Sequence, residues 1–427
     1  MPHSHLALQD PIAATPLRPL ARATGFLRRA SGKITPAGFL HACCLFALQT
    51  QGSLSSFARL WAWNHGQTLS KQAVKKRFSS AAVAFLQLVL QHVLASQVLA
   101  WAAPSSIGRL FNRILLQDST CLALPARLAG FFPGPANNQP KKQAGLKIQA
   151  TLDVTRNQWI QFQLTPYVCN DQRASAFILE WLQKGDLIIR DLGYFVLDVL
   201  DQIHKKGAYF LTRWRYGVLL LCPRTGAKLS LARLLGSADF WEGEVLLGSQ
   251  RLPVRLIAQR VPQAVASQRR HKAHKRRDRR LNHSPDHLHL LGWNIFLSNV
   301  PATLLDAKSL IALYTWRWRL EIIFKTWKSH FAMGQFTAAS AQQILIILLS
   351  KLICICWLSV HWNHLANQAI PVSLIKLAQC WSQLAPIIWS HPQKLSSPNL
   401  SNLFQYYCRY EKRRKRPNFL QQCASLG

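Results

Sequence analysis

Acidic side chains are what this 427-residue chain has least of: 17 Asp and Glu stand against 52 Lys and Arg, a formal charge of +35. A folded protein this basic repels itself unless a polyanion compensates it. Nucleic acid is the commonest such partner, and an anionic membrane surface is the rival reading. Cysteine pairs at metal spacing are also missing. The ten cysteines are scattered, with Cys43 and Cys44 adjacent and Cys354 two residues from Cys356, but none forms a CxxC. That pattern disfavours zinc ribbons and a secreted disulfide framework, so a reduced, intracellular protein is expected. Residues 1–33 hold basic residues and prolines but no continuous apolar stretch, so no secretory signal is expected. The most apolar segment, Ile344 to Val360, carries Lys351 midway, and the runs on either side are too short to cross a bilayer. It reads as a buried helix rather than a membrane span. No internal repeat is visible. A hydrophobic content of 49% suffices for a sizeable core and argues against global disorder.

Hydrophobic periodicity divides the rest. Residues 1–33 read as a basic flexible arm and 34–105 as a helical DNA-binding domain. Within it, Ser53 to Leu60, a break at Gly66 and Thr68 to Phe78 resemble a helix-turn-helix. Thr68 or Ser70 can cap the second helix, and Lys71, Lys75 and Lys76 are candidates to face phosphates; an ordinary solvated basic helix fits equally well. After Pro104 the period changes. Arg113 to Asp118 is a short apolar run ending in an acid. Leu146 to Val154 and Trp159 to Leu164 read as strands joined at Arg156-Asn157, and Asp171 to Gln183 as a helix. Asp186 to Asp191 is a second apolar run ending in an acid, followed by a helix to His204 and a strand from Ala208 to Trp214. The order strand, strand, strand, helix, strand, helix, strand predicts an α/β fold with a ribonuclease-H-like catalytic core. Its first part spans 106–215, and a mainly β insertion (216–290) ends in the basic run Arg269 to Arg280. The core resumes over 291–335 with a strand from Trp293 to Val300 and a helix from about Asp306 to Ser329. A helical C-terminal region with the basic tail Lys412 to Arg416 fills 336–427.

Scarcity makes the surviving acids informative: only Asp10 precedes Asp118, and only Glu411 follows Glu321. Asp118 and Asp191 each lie at the expected carboxyl end of a strand, where α/β sheets place functional side chains. Carboxylates gathered there need a cation, and hard oxygen ligands suit Mg²⁺ or Mn²⁺; singly, each also reads as a strand-end cap. On a helix from Tyr314 to Lys328, with Tyr314 at zero, Arg317 falls near 300°, Glu321 near 340° and Lys328 near 320°, with Lys325 just beside them. The neighbouring sector holds Leu313, Trp316, Leu320, Ile323, Phe324 and Trp327 and packs on the core. A salt-bridged amphipathic helix would explain Arg317 and Glu321 but not why Tyr314 and Lys328 share their stripe.

The pattern Y-x2-R-x3-E-x6-K resembles the signature of DDE transposases of bacterial insertion sequences, specifically insertion-sequence family four. Asp118-Ser-Thr with Leu124-Pro125 resembles that family's first-aspartate motif, Gly185 to Phe195 its second, and Gly292 to Pro301 the strand entering its last helix. The resemblance covers roughly Thr35 to Ala366. Leu192 departs from it, since many members carry a basic residue there.

The resemblance implies that Asp118, Asp191 and Glu321 bind two Mg²⁺ ions, with Mn²⁺ as a substitute, and that they catalyse cut-and-paste DNA transposition. Water would free a 3′-OH at the inverted-repeat end, and that hydroxyl would ultimately join target DNA. It also implies that Tyr314, Arg317 and Lys328, with Lys325 beside them, hold the DNA end. Trp293 would be a stacking partner for an extruded base. The implied partners are double-stranded DNA at inverted repeats and target, and a homodimer acting on paired ends, with no membrane; the implied location is cytoplasmic and nucleoid-associated. Two alternatives remain open: a decayed copy that only binds DNA, and a hydrolytic nuclease on the same fold. Asp153 and Asp186 read as structural, Ser119 and Thr120 as loop caps, and the histidines between His271 and His289 as a DNA-facing loop rather than a zinc site.

Overall fold

The computed structural model describes residues 15–29, 33–49, 52–96, 106–135, 143–275, 284–336, 340–367, 372–390 and 398–409. The chain divides into two compact units. One comprises Met1–Ala103, Ser119–Cys169 and Arg319–Gln421; the other comprises Pro104–Asp118, Asn170–Trp318 and Gln422–Gly427. The basic tail from Lys412, residues 1–14 of the expected arm and the stretch 276–283 lie outside the described residues.

The first unit opens with helices, and all but the first of them start at a polar cap. The arm is not unstructured where it is described: α1 (Leu17–Ala23) folds, and Phe26 after it stacks on Phe85 at 5.1 Å and meets Phe39 at 4.6 Å. These aromatic contacts override the segment's charge. Thr35 caps α2 (Pro36–Leu48), and Ser53 caps α3 (Leu54–His65), which ends at the left-handed Gly66. Ser70 caps α4 (Lys71–Arg77) and Ser79 caps α5 (Ser80–Ala95); each such cap is worth about 1 kcal/mol. The expected helix-turn-helix segment is therefore helical on both sides of Gly66.

Strand β1 (Ile114–Leu124) does not stop at Asp118. Beyond it Thr120, Leu122 and Leu124 are buried while Cys121 and Ala123 are exposed. That period-two alternation carries the strand on to Pro125. Asp118 is thus a mid-strand residue rather than a terminal one. In the first unit β2 (Ala144–Asp153) and β3 (Gln158–Pro166) pair antiparallel, as their alternation predicts. Asn157, at φ +48°, makes their turn, and buried Asp153 holds it by accepting from Thr155 N at 2.9 Å.

In the second unit the segment expected as a helix to Gln183 is a single turn, α6 (Asp171–Ala174), followed by a 3₁₀ stretch to Glu180. Ser175 donates to the Tyr194 carbonyl at 2.8 Å and accepts from Arg190 at 2.9 Å, which ties the chain down there. Then come β4 (Leu187–Arg190), α7 (Leu197–Lys205), β5 (Tyr209–Arg213), β6 (Leu220–Leu221), α8 (Leu231–Leu235), β7 (Phe240–Leu247) and β8 (Leu252–Arg260). Helices α9 (Gln263–His274) and α10 (Pro285–Leu290), strand β9 (Trp293–Ser298) and helix α11 (Ala307–Tyr314) complete the unit. Its strands run in the order β1-β4-β5-β9-β8-β7-β6. β4 lies parallel to both β1 and β5, and β9 is antiparallel to β5 and β8. This is a mixed α/β, ribonuclease-H-like core. The insertion extends its sheet, but the segment is mixed rather than mainly β, because the start of the basic run folds as α9.

The long helix expected from Asp306 is broken. After α11 a 3₁₀ turn, Thr315–Arg317, precedes α12 (Trp318–His330). The first unit then finishes with α13 (Ala341–Asn367), α14 (Leu374–Ser390) and α15 (Pro398–Tyr407). Within α13, Ala341–Asn363 is long and apolar enough to cross a membrane, at mean hydropathy 2.3, yet 83% of its most apolar window is buried inside the protein. It packs on α2 and α5 of its own unit, as a core helix does.

Candidate active site

Two strands and one turn build the site in the second unit. Gln117 pairs with Arg190 across parallel β1 and β4, which brings Asp118 and Asp191, the next residue of each segment, to neighbouring positions. Asp118 has a side chain 16% exposed, and Asp191, just past the end of β4, one 46% exposed. Arg317, from the 3₁₀ turn, stands between them: its Nη1 is 3.6 Å from Asp118 Oδ2 and its Nε 3.8 Å from Asp191 Oδ1. Both separations exceed good hydrogen-bond length, so the guanidinium offsets the repulsion of the carboxylates without locking them.

The same guanidinium lies 5.9 Å from the Tyr314 ring and 5.3 Å from the Trp318 ring, a cation flanked by two π faces. Tyr314 is buried against Phe296 at 5.0 Å. Burial pushes its hydroxyl up to about 12; Arg317 opposes the shift and Asp191 adds to it, so the phenol stays protonated at neutral pH. Arg190, behind Asp191, is fully buried and drawn down to about 10 by desolvation, and its Nη1 donates to Ser175 O at 3.0 Å.

The 3₁₀ turn also revises the single stripe. At three residues per turn its residues advance about 120° each instead of about 100°, so Tyr314 and Arg317 turn inward while Lys325 and Lys328 on α12 are exposed. Glu321 is half-buried on α12. Trp293 does not offer a stacking face. It is 3% exposed at the start of β9, with the Arg260 guanidinium 5.0 Å above its ring. Trp318, 56% exposed beside Arg317, is the aromatic that sequence reasoning missed. The signal was available: on the same projection it falls near 40°, outside the apolar sector. Lys71, Lys75 and Lys76 are all exposed on α4. From the basic run, Arg269 and Arg270 fold back, donating to the carbonyls of Trp293 at 3.0 Å and Leu288 at 3.0 Å.

A family model described as a transposase DDE domain matches residues 109–357, more than half of the chain. The chain belongs to the DDE transposases. It is 30% identical to the transposase of insertion sequence element IS231B from Bacillus thuringiensis subsp. berliner, over 79% of this chain and 75% of the relative. To the transposase of IS1151 from Clostridium perfringens it is 23% identical, again over 79% and 75%. Among solved structures it resembles a piggyBac transposase synaptic complex with hairpin DNA, with a TM-score of 0.46 and 9% identity, covering 97% of this chain and 86% of that one. The motif resemblance to insertion-sequence transposases is therefore borne out. The transposase is a DNA-cleaving and strand-transferring enzyme.

The family implies divalent metal, and the second unit's carboxylates suit one. They are hard oxygen donors, partly exposed, and already share a cation in the Arg317 guanidinium. Among the described residues no group of three or more His, Cys, Asp or Glu side chains lies close enough to hold a metal ion.

Proposed function

We propose that the transposase cuts DNA at the inverted-repeat ends of its insertion sequence and joins the freed ends to target DNA by a cut-and-paste route. In this reading Asp118, Asp191 and Glu321 are the catalytic carboxylates, and the chain is a member of the Y-R-E-K subgroup. The observation that carries it is Arg317 shared between Asp118 and Asp191. Nothing in a purely structural ion pair requires two acids from separate strands to lean on one guanidinium at such long separations. On engaging DNA the three carboxylates would come together to hold two divalent ions, Mg²⁺ or Mn²⁺, which would supply an activated nucleophile and charge neutralisation at phosphorus.

The remaining chemistry falls to the chain. Water attacks phosphorus in line and the bond to the 3′ oxygen breaks, freeing a 3′-OH that later attacks a target phosphodiester. Arg317 would offset the charge that builds on the phosphoryl oxygens, and the protonated Tyr314 hydroxyl would donate to one of them. Lys325 and Lys328 would track the phosphates of the end, as Lys71, Lys75 and Lys76 would on α4. Trp318, rather than buried Trp293, would meet an unstacked base. Action on paired ends would use a homodimer.

The test is cleavage of labelled DNA carrying the element's own inverted repeats, with Mg²⁺, with EDTA and with Glu321→Gln. Metal-dependent nicking at the repeat boundary that disappears in the variant is expected. Tight binding without any cleavage would mean a decayed copy, and cleavage without a joined product would mean a hydrolytic nuclease.

A further inference from the structure

Within the first unit one polar chain runs through apolar surroundings. Arg319, two residues before Glu321 on α12, donates from Nη2 to Asn157 Oδ1 at 2.6 Å. Asn157 Nδ2 donates to Asn363 Oδ1 on α13 at 2.8 Å. Asn363 Nδ2 in turn reaches the carbonyls of Arg156 and Asn157 at 3.4 Å. All three side chains are buried, at 9%, 4% and 7% exposure. An arginine can only donate, so Asn157 must turn its oxygen to Arg319 and its nitrogen to Asn363, and every amide in the chain has one allowed orientation. Two aromatic contacts run alongside. The Arg319 guanidinium lies 5.4 Å from the Trp362 ring. Trp159, two residues past the hairpin turn, donates to Ser359 at 3.0 Å and packs on Trp327 of α12 at 5.2 Å.

We infer that this amide bridge is a positioning device: it fixes the rotation and depth of α12, and hence the direction of Glu321. The inference rests on the proposed catalytic role of Glu321. A helix gripped only by apolar side chains can slide or roll at small cost, whereas a fixed-orientation hydrogen-bond chain two residues before the functional acid allows one register. The hairpin tip is suited to the task because Asn157 sits at φ +48°, a conformation asparagine tolerates, so its side chain leaves the turn at a fixed angle.

Asn157→Gly tests this, since glycine keeps the left-handed turn and removes only the bridge. At saturating end DNA, single-turnover cleavage should slow on the order of 10- to 100-fold. Any weakening of end-DNA binding, to which Lys325 and Lys328 on the same helix would contribute, should be much smaller than the loss of rate, and the protein should be fully folded at assay temperature. Arg319→Lys, which keeps a donor, should retain most of the rate that Arg319→Met loses. Unchanged cleavage in Asn157→Gly and Arg319→Met would overturn the inference, as would slowing matched by equal loss of binding or folding. Glu321→Gln is measured in parallel. If it still cleaves, the catalytic assignment and the bridge's purpose fail together; if it is dead while Asn157→Gly is unimpaired, the bridge alone fails.

Discussion

Strand β4 has an aspartate at each end, and the two are held in opposite ways. Asp186, before the strand, is 0% exposed and saturated with donors: Arg113 Nε at 3.0 Å and Nη2 at 2.5 Å, Asn112 at 3.2 Å and the backbone N of Gln183 at 2.8 Å. Asp191, just past the strand, is 46% exposed and meets Arg317 at 3.8 Å. A carboxylate whose lone pairs are filled by fixed donors is part of the scaffold, and nothing further can bind it. One left partly open, 3.8 Å from a guanidinium, keeps its oxygens available to a ligand. Chemistry on this strand is decided by how many donors the fold assigns to each acid, not by residue type.

The sharpest way to break that comparison is to neutralise each acid in turn. Asp191→Asn, and Asp118→Asn with it, should lower cleavage by at least about 100-fold and shift unfolding free energy by no more than about 0.5 kcal/mol. Asp186→Asn should do the reverse. Stranding buried Arg113 should cost about 3 kcal/mol, read by denaturant titration, while cleavage per folded molecule stays intact. If Asp186→Asn abolished cleavage in fully folded protein, or Asp191→Asn destabilised as much as Asp186→Asn, the division between scaffold and site would collapse.

A buried cation sharpens the same point from the other sign of charge. Lys351, 2% exposed on α13, donates to the Ala332 carbonyl at 2.8 Å, and burial draws its ammonium down to about 8; nearby Cys354 partly offsets that shift. The folded state therefore holds this proton less tightly than the unfolded chain does. The cost is present in full below pH 8 and fades as pH rises from about 8 towards 10.5, so this group makes stability increase with pH across that window. Lys351→Met removes the titration. Its melting temperature relative to the wild type should be most favourable below pH 8 and should lose that advantage by pH 10.5. A difference independent of pH would show that the ammonium is not desolvated as described.

These contrasts also mark what the sequence could tell. Asp186 and Asp153 read as structural because one precedes a strand and the other sits at a hairpin, and both are bonded where that reading puts them. Asp191 reads as a strand-end acid because the run Leu-Ile-Ile-Arg stops beside it. Asp118 was misplaced within its element because Ser-Thr after an acid suggests a loop, whereas the alternation from Thr120 to Leu124 continues the strand. The break at Thr315–Arg317 was invisible because a 3₁₀ turn and an α-helix share nearly the same apolar spacing over three residues. Trp293 and Trp318 differ only in burial, which tertiary contacts decide: Arg260 covers one, and Arg317 lies beside the other where it faces solvent. The bridge from Arg319 through Asn157 to Asn363 joins residues more than 160 positions apart in sequence, and no local pattern announces such a link.

Cations divide as the acids do, and there the expected effect is smallest. Lys328 is exposed on α12, whereas Arg269, despite opening the most basic run of the chain, donates to the Trp293 carbonyl at 3.0 Å and to Asn294 at 2.8 Å. A cation that neutralises a DNA phosphate releases a counterion, so log K falls with log salt by about 0.9 for each such contact. Lys328→Ala should flatten that slope by about 0.9 in anisotropy titrations of end DNA across several salt concentrations. Arg269→Ala should leave the slope alone and lower the melting temperature instead, because it removes bonds within the fold and none to the duplex. If the two variants exchanged these outcomes, exposure would have misidentified which positive charges meet DNA. The basic run would then be a phosphate track after all, reached by unpeeling Arg269 from β9.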